Sequence, residues 1–469
     1  MGFRHRDFSR GFLFLSTLPV LLTATGGCTS LLGTFEVAES KADAGATTDA
    51  GAEPDTGGAV DSAVPPTDGG DAGPPPVFVA SYVAAGLNHT CAVKPPGHVY
   101  CWGNNDHGQL GVPPALTPGT KSNKPIKVPN FGAGVGSGKP ITKVFVGAAH
   151  TCALDEIGAL FCWGSNDSKQ LGTGDPPDAV AHDNPRRVKG VVGVTLDGVA
   201  SASLGAKHSC AVLSTGDVAC WGSNADGQIG VTGTLPVDPT KVPTVNKATL
   251  VTVGARHSCA LAAATAQVWC WGISKTGQLG IGSMAAPVAP TPVNFGTESP
   301  NFLGAGGEGH SCATVGAPPR LQCFGANDVG QLGAPGTIDN PVPTNVAVPV
   351  GAPSFDEVQT GGKFSCAKSI ATGGPNSAAL GCWGANNHGQ LGLGTVDPGR
   401  HDIITSVPGQ IATVLNYSVG AEHACAIIKT PADPKSGPVF CWGGGAFGKL
   451  GVDLGGTSDQ PNPRAVLVE

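Results

Sequence analysis

Short apolar runs recur along most of the chain and are separated by glycine-containing turns. Runs such as Ala-Leu and Val-Tyr are typical of short strands rather than of helices. Residues that favour helices are scarce, with only 2 Met and 13% charged residues, whereas the chain holds 72 Gly and 40 Pro. The pattern therefore predicts an all-β fold of short strands joined by turns.

One sequence pattern is repeated seven times between residues 86 and 451. The first half of each copy resembles GAAHTCAL, and the second half resembles CWGSNDSKQLG. The copies begin at Gly86, Gly147, Gly205, Gly254, Gly307, Gly361 and Gly420. Repeats of roughly 50 to 60 residues with several strands each predict a β-propeller, because a closed ring of blades leaves no free sheet edge.

The expected architecture is a seven-bladed propeller of four-stranded antiparallel blades. The sequence ends with residues 463–469, at the place where an eighth copy would begin. The segment Val77–Ala85 lies before the first copy and can supply the missing strand. We therefore expect the N-terminal and C-terminal segments to pair in one blade and close the ring.

The repeat H-[ST]-C-A-L followed by C-W-G-x-N-x-x-G-Q-L-G is similar to that of the regulator of chromosome condensation family. The resemblance covers residues 77–469 and implies a seven-bladed propeller. It leaves the function open, because the family includes exchange factors, ligand-recognition modules and a secreted bacterial inhibitor of β-lactamases.

Fourteen of the fifteen cysteines occur two per repeat, on strands that flank one hairpin turn. Directly opposed positions should bring their Cα atoms to about 4.5 to 5.5 Å, which suits a disulfide. The predicted pairs are Cys91–Cys101, Cys152–Cys162, Cys210–Cys220, Cys259–Cys270, Cys312–Cys323, Cys366–Cys382 and Cys425–Cys441. Each bridge is expected to contribute roughly 3 kcal/mol by restricting the unfolded chain.

The recurring histidines and tryptophans have a structural and a functional interpretation. His-x-Cys could indicate zinc, but no carboxylate recurs at a fixed offset, and Phe364 replaces one histidine. The tryptophan after each second cysteine could form a carbohydrate platform, but it should instead pack against the neighbouring blade. No metal or cofactor is expected. A turn role is predicted for one Asn in most copies and a structural role for the acids beside it: Asn105, Asn166, Asn224, Asn327, Asn387, Asp106, Asp167, Asp226 and Asp328.

The first residues have the features of an export signal. Arginines precede the apolar stretch Gly11–Thr25, which is short for a membrane span. The sequence Thr25-Gly-Gly-Cys28 resembles the lipobox of bacterial lipoproteins and implies lipidation of Cys28, with ordinary cleavage and release as the alternative. The prediction is a signal peptide at 1–28, a linker at 29–76 and a propeller at 77–469, on a cell-surface or outer-membrane lipoprotein or a secreted protein.

The linker is acidic and the body is nearly neutral. Residues 36–76 contain nine Asp or Glu and one Lys, with no apolar face to bury, so a disordered tether is expected. Because the net charge of the whole chain is −7, the propeller itself carries little net charge. A nucleic-acid partner, which would require a basic surface, is therefore not expected.

Binding should depend on residues that differ between the repeats, since the repeated ones build the scaffold. The position before the repeated histidine varies freely, and Lys207, Arg256 and Lys363 predict a local positive patch on one face. The candidates at this position are Asn88, Ala149, Lys207, Arg256, Gly309, Lys363 and Glu422. A second candidate is the long stretch from Pro113 to Lys143.

The function predicted from the sequence is a monomeric, non-enzymatic binding module for a protein or glycan partner. The main alternative is a polysaccharide lyase or hydrolase, which would require a carboxylate or a histidine–acid pair that breaks the repeat symmetry. Guanine-nucleotide exchange, by analogy with the family, is a third possibility. No nucleophile motif such as G-x-S-x-G is present in a strand–helix context.

Overall fold

A computed structural model of the protein describes residues 76–117, 120–129, 138–190, 196–285, 288–307, 309–370, 380–409, 413–452 and 458–468. The predicted signal peptide, Cys28 and all but the last residue of the predicted linker lie outside these ranges. In the described part of the chain, no helix has the length and apolar character needed to cross a membrane.

The described residues form seven antiparallel blades of four strands, as the repeats predict, and the seventh sheet gains a fifth strand from the N-terminal segment. Blades 1 and 2 contain β2 (Tyr82–Ala85), β3 (His89–Lys94), β4 (His98–Asn104), β5 (Lys121–Lys127), β6 (Ile141–Val146), β7 (His150–Asp155), β8 (Leu160–Asn166) and β9 (Asp178–Arg187). Blades 3 and 4 contain β10 (Val199–Leu204), β11 (His208–Leu213), β12 (Val218–Gly222), β13 (Val237–Lys241), β14 (Leu250–Val253), β15 (His257–Ala262), β16 (Gln267–Gly272) and β17 (Val288–Val293).

The remaining three blades follow the same order from the innermost to the outermost strand. Blades 5 and 6 contain β18 (Pro300–Gly306), β19 (His310–Val315), β20 (Arg320–Gly325), β21 (Asn340–Asn345), β22 (Phe355–Thr360), β23 (Phe364–Ser369), β24 (Leu380–Asn386) and β25 (Asp397–Ser406). Blade 7 contains β26 (Val414–Val419), β27 (His423–Ile428), β28 (Gly437–Gly443) and β29 (Gln460–Ala465). Short 3₁₀ helices span Pro114–Leu116, Ala263–Thr265 and Ala446–Gly448.

The ring is closed by two strands that share the outer edge of β28. The first, β1 (Val79–Ala80), pairs with Gly437 and Pro438, and β29 pairs farther along β28. Between them, the amide of Phe78 donates to the carbonyl of Val466 at 2.7 Å. The prediction of closure by both chain ends is confirmed, and the segment predicted as one strand supplies two, because β2 begins blade 1.

The hydrophobic core is divided among the seven interfaces between successive blades. Between blades 2 and 3, the Cys152–Cys162 pair and Leu171 pack with Trp221 of the next blade. Every other interface repeats this arrangement with the corresponding aromatic residue. The aromatic residues are Trp102, Trp163, Trp221, Trp271, Phe324, Trp383 and Trp442, all fully buried. The prediction that the tryptophans pack against neighbouring blades is therefore confirmed.

Seven disulfides join the predicted cysteine pairs, one within each blade. Their Cα atoms are 4.0 to 4.1 Å apart, closer than the 4.5 to 5.5 Å expected from strand geometry. In blade 2 the amide of Asp155 donates to the carbonyl of Ala159, so strand alternation places Cys152 and Cys162 at a pair that exchanges no backbone hydrogen bond. Such pairs approach each other most closely.

Candidate binding face and central cavity

Six repeated histidines form a buried belt that joins each blade to the next. In blade 3, the Nε2 atom of His208 lies 2.9 Å from the hydroxyl of Ser258 in blade 4. The other belt pairs, at 2.8 to 3.0 Å, are His89–Thr151, His150–Ser209, His257–Ser311, His310–Ser365 and His423–Thr90. The structure places these histidines between blades, as the structural interpretation predicts.

The hydrogen bonds of the belt determine which nitrogen of each histidine carries a proton. The hydroxyl of Ser258 donates its one hydrogen to the carbonyl of Gln228, so Nε2 of His208 must be the donor to Ser258. Desolvation by burial lowers the pKa of His208 to about 3, with a smaller contribution from the neighbouring histidines. Burial likewise lowers the pKa of His89, His150 and His310 to about 3 and that of His257 to about 4. The belt is therefore neutral at physiological pH.

Other repeated side chains also serve the scaffold. The carbonyl of Gln228 accepts a second hydrogen bond, from the indole of Trp271, at 2.9 Å. The motif Asn accepts the amide of the buried Leu or Ile five positions later, as Asn224 does for Ile229 at 3.0 Å. In blade 6 this residue is Asn386 and not the predicted Asn387, because the turn residue is the fourth after the cysteine and two asparagines stand in tandem.

A collar of glycine turns surrounds one end of the central channel. The amide of Ala148 donates to the carbonyl of Gly205 in the next blade, and the amide of Ala421 donates to that of Gly86. A Cβ atom on Gly205 would lie 2.4 Å from the carbonyl oxygen of Gly254, a contact that real Cβ atoms do not make. The first glycine of the repeat is thus required by the close approach of neighbouring blades. We call the end with these turns the collar face.

The five turn residues predicted to bind a partner lie on the collar face, in five of the seven turns that precede the second strand of each blade. Three of the cations form ion pairs with an acid of the preceding blade: Lys207–Asp167 at 2.6 Å, Arg256–Asp226 at 2.5 Å and Lys363–Asp328 at 2.6 Å. The expected local positive patch is therefore wrong, since carboxylates neutralise these charges. The binding role of Asn88, Lys207, Arg256, Lys363 and Glu422 stays a prediction.

The stretch from Pro113 to Lys143 is not one insertion. It contains a 3₁₀ turn on the collar side, the outer strand β5 and the connection to β6 on the opposite side. Its described parts belong to both faces of the propeller, and its role in binding stays a prediction.

The central channel forms a cavity of about 550 Å³ that extends to the collar face. Its wall includes Phe145, Phe302 and Tyr82, together with hydroxyl and amide side chains. Several of these polar groups join neighbouring inner strands. Ser203 accepts the amide of Val253 at 3.1 Å, and Ser418 accepts that of Ala85 at 2.9 Å. The wall is thus polar as well as aromatic.

A cluster of charged side chains at the cavity mouth was not predicted. His388 lies between Asp459, 2.9 Å from Nδ1, and Glu422, 3.6 Å from Nε2. Glu422 also pairs at 3.1 Å with Lys449, whose side chain is completely buried. The signal was present in the seventh repeat, where FGKLG has Lys in place of the repeated Gln. The described residues contain no group of three or more His, Cys, Asp or Glu that could hold a metal ion.

Comparison with known proteins assigns this architecture to a family. The family model for the RCC1-like domain matches residues 72–313, which is more than half of the chain. The model for the regulator of chromosome condensation (RCC1) repeat matches residues 320–367 and 382–427. The chain belongs to the RCC1-like family. This membership supports an interaction or regulatory module as the coarse functional class of this RCC1-like propeller.

Individual relatives and solved structures differ widely from this chain in sequence. The ultraviolet-B receptor UVR8 of Arabidopsis thaliana is 26% identical over 389 residues, which cover 82% of this chain and 81% of the receptor. Prp20p from Saccharomyces cerevisiae, solved together with a description of its binding to Gsp1p and histones, has a TM-score of 0.61 at 21% identity, covering 72% of this chain and 80% of that one. Yeast RCC1 bound to Kap60 has a TM-score of 0.64 at 20% identity, covering 83% and 87%. The two solved structures show likeness of fold alone.

Proposed function

We propose that this RCC1-like propeller is an exported binding module that presents its collar face to a protein or glycan of the cell envelope. The observation that supports the proposal is that the repeated residues and the variable residues have different roles. The repeated His, Trp, Cys, Asn and Gln side chains bind other parts of the scaffold. The variable positions lie in the turns of one face, where Lys363 and Glu422 line the channel mouth. A rigid disc with one variable face is suited to recognition.

Seven disulfides are compatible with export, because such bridges persist in oxidising compartments. Attachment through a lipid on Cys28, with the acidic segment 29–76 as a tether, is part of the proposal. Growth with a labelled fatty acid should mark the wild-type protein and not Cys28→Ala. If neither the wild-type protein nor Cys28→Ala is labelled and both are found in the medium, the proposed lipid anchor is wrong.

Partner capture with matched variants tests the binding face. The full chain with Lys207→Ala, Arg256→Ala and Lys363→Ala should retain its fold but capture less of the envelope partner found with the wild type. The control replaces three ion-paired cations of the opposite face, Lys139, Lys241 and Arg320. Equal loss in both triple variants, or loss in neither, would place the binding surface elsewhere.

Catalysis and nucleotide exchange remain the competing functions. The histidine–acid pair at the channel mouth is the symmetry-breaking group that an enzyme would require. We favour binding because both acids beside His388 are engaged by the scaffold, Glu422 by Lys449 and Asp459 by the amide of Gly445. Release of new reducing ends or unsaturated sugars from envelope polysaccharide, abolished by His388→Ala, would replace binding with catalysis.

A further inference from the structure

The junction of blades 6, 7 and 1 departs from the repeat at several neighbouring positions. Lys449 stands where the other six copies have Gln, and Glu422 stands at the position that elsewhere carries Lys or Arg in three copies. In the other ion pairs of the collar face, the preceding blade supplies the acid. Here it supplies His388, so the polarity is reversed. A buried lysine where a neutral side chain suffices six times is unfavourable for stability, which points to a role beyond packing.

The hydrogen bonds of Asp459 define how His388 is presented. One carboxylate oxygen of Asp459 accepts the amide of Gly445 at 3.0 Å, and the other lies 2.9 Å from Nδ1 of His388. A carboxylate only accepts hydrogen bonds, so Nδ1 carries the proton. In the neutral imidazole, Nε2 is then an acceptor, and it faces the Oε1 atom of Glu422 at 3.6 Å.

When the imidazole is neutral, the gap between His388 and Glu422 presents two acceptors and no donor. The second carboxylate oxygen of Glu422 is held by Lys449, which fixes the orientation of the acid. The side chains of His388 and Glu422 remain 33% and 44% exposed, so the gap is accessible. A primary ammonium supplies three N–H donors and a positive charge, and it can satisfy both acceptors at once.

The cavity behind the gap favours a polyhydroxylated body on this ammonium. Since Ser203 and Ser418 accept backbone amides through their oxygens, their hydroxyl hydrogens can donate to a ligand. Thr360, which also lines this cavity, is buried with a hydroxyl that has no partner among the described residues. Phe145 adds an aromatic surface against which a sugar ring can pack.

We propose that the channel mouth binds an amino sugar, whose free ammonium donates to both His388 and Glu422 and whose hydroxyl groups lie on the polar wall of the cavity. The proposal deepens the proposed binding function by naming a ligand class for the same face. Its test uses small molecules, so that a negative result leaves docking of a larger envelope partner on the variable turns intact.

Titration calorimetry of the full chain at neutral pH tests the proposal with four probes: glucosamine, N-acetylglucosamine, glucose and putrescine. Glucosamine should bind at least about tenfold more tightly than N-acetylglucosamine and glucose, because both lack the ammonium that two acceptors require. Putrescine has ammonium groups and no hydroxyl groups, and it should bind more weakly than glucosamine. Equal binding of glucosamine and N-acetylglucosamine, or of glucosamine and putrescine, would overturn the proposal.

Variants locate the site. Glu422→Gln should weaken glucosamine binding by about tenfold or more. Because this change leaves buried Lys449 without its acid, the paired variant Glu422→Gln with Lys449→Gln removes both charges and should show the same loss in a folded protein. Lys241→Gln, which breaks an ion pair on the opposite face, is the matched control and should bind normally. If wild-type protein does not bind glucosamine, an imidazolium of His388 that bridges the two carboxylates satisfies the cluster, and the proposal is wrong.

Discussion

The interface between blades 3 and 4 and that between blades 6 and 7 have the same architecture but different chemistry. Both place an indole on the carbonyl of a buried Gln, Trp271 on Gln228 and Trp442 on Gln390. At the belt position, blades 3 and 4 pair His208 with Ser258. Blades 6 and 7 have Phe364 and Ala424 there, both fully buried in one apolar cluster.

The difference shows that each contact of the belt depends on two residues together, the histidine and its hydroxyl partner in the next blade. A single change would leave either the hydroxyl oxygen without a donor or the buried imidazole without an acceptor, which costs about 1 to 3 kcal/mol. Replacement of both partners by apolar groups avoids this cost. The histidines therefore stabilise the ring and need not act on any ligand. The charged pairs of the collar face show a different kind of variation. Asp226 and Arg256 pair between blades 3 and 4, and at the equivalent positions of blades 6 and 7 the acid lies on the following blade, as His388 and Glu422.

Of the changes considered, acidification should lower the stability of the belt interfaces most. Burial lowers the pKa of belt histidines to about 3 or 4, below the ordinary value of 6.5 that they regain on unfolding. The unfolded state then binds more protons, so the stability that the neutral belt provides is complete above about pH 6.5 and decreases as the pH falls toward 3. All six belt histidines share this direction of shift.

Urea unfolding followed by tryptophan fluorescence at pH 7, 5 and 4, with the disulfides intact, measures this loss. The midpoint should decrease at each step. A variant in which His208→Phe and Ser258→Ala reproduce the apolar pair of blades 6 and 7 should show a weaker dependence on pH. An identical midpoint from pH 7 to pH 4 would contradict a neutral, buried belt.

Breaking one partner of the belt should have the next largest effect. Ser258→Ala removes the acceptor of His208 and should lower the free energy of unfolding by about 2 kcal/mol, since a buried N–H is left unpaired. Addition of His208→Phe should recover at least half of this loss. A double-mutant cycle at neutral pH measures the coupling between the two positions. Additive effects would show that the pair Phe364–Ala424 between blades 6 and 7 has another explanation.

Glu422 and Lys449, which form an ion pair at the junction of blades 6, 7 and 1, should differ in how much their replacement lowers the free energy of unfolding. Glu422→Gln leaves the buried ammonium of Lys449 without its acid and should cost about 2 kcal/mol, a value reduced from that of a fully buried pair because Glu422 is 44% exposed. Lys449→Gln restores the residue of the other six repeats and should change the free energy of unfolding by less than about 0.5 kcal/mol. Thermal and urea unfolding of both variants test the order, and a larger loss in Lys449→Gln would contradict it.

The repeats allowed most of the scaffold to be predicted, because each repeated residue performs one structural task seven times. Cys152 and Cys162 stand opposite each other in adjacent strands, so their pairing follows from the position of the turn between them. The packing of Trp221 on the preceding blade follows from its place beside Cys220, since neighbouring residues of a strand point to opposite faces.

Contacts between blades were harder to predict, because they join residues far apart in the sequence. Lys207 is free of constraint in its own repeat, and only the assembled ring shows Asp167 beside it. The cluster of His388, Glu422 and Asp459 likewise assembles from separate parts of blades 6 and 7. A comparison of the repeats at the Gln position identifies Lys449 as exceptional but does not reveal its partner.

The smallest effects should come from the ion pairs of the collar face, and they should differ among themselves. Arg256 donates two hydrogen bonds to Asp226, at 2.6 and 2.5 Å, and this acid is only 13% exposed. Lys207 makes one contact with Asp167, and both side chains are more than a third exposed. Arg256→Gln should therefore cost up to about 1 kcal/mol, and Lys207→Gln less than about 0.5 kcal/mol. Urea unfolding of both variants in low salt and in about 1 M NaCl tests this order, because salt screens the exposed pair more strongly than the partly buried one. Equal costs at both salt concentrations would show that the geometry of the pair does not determine its strength.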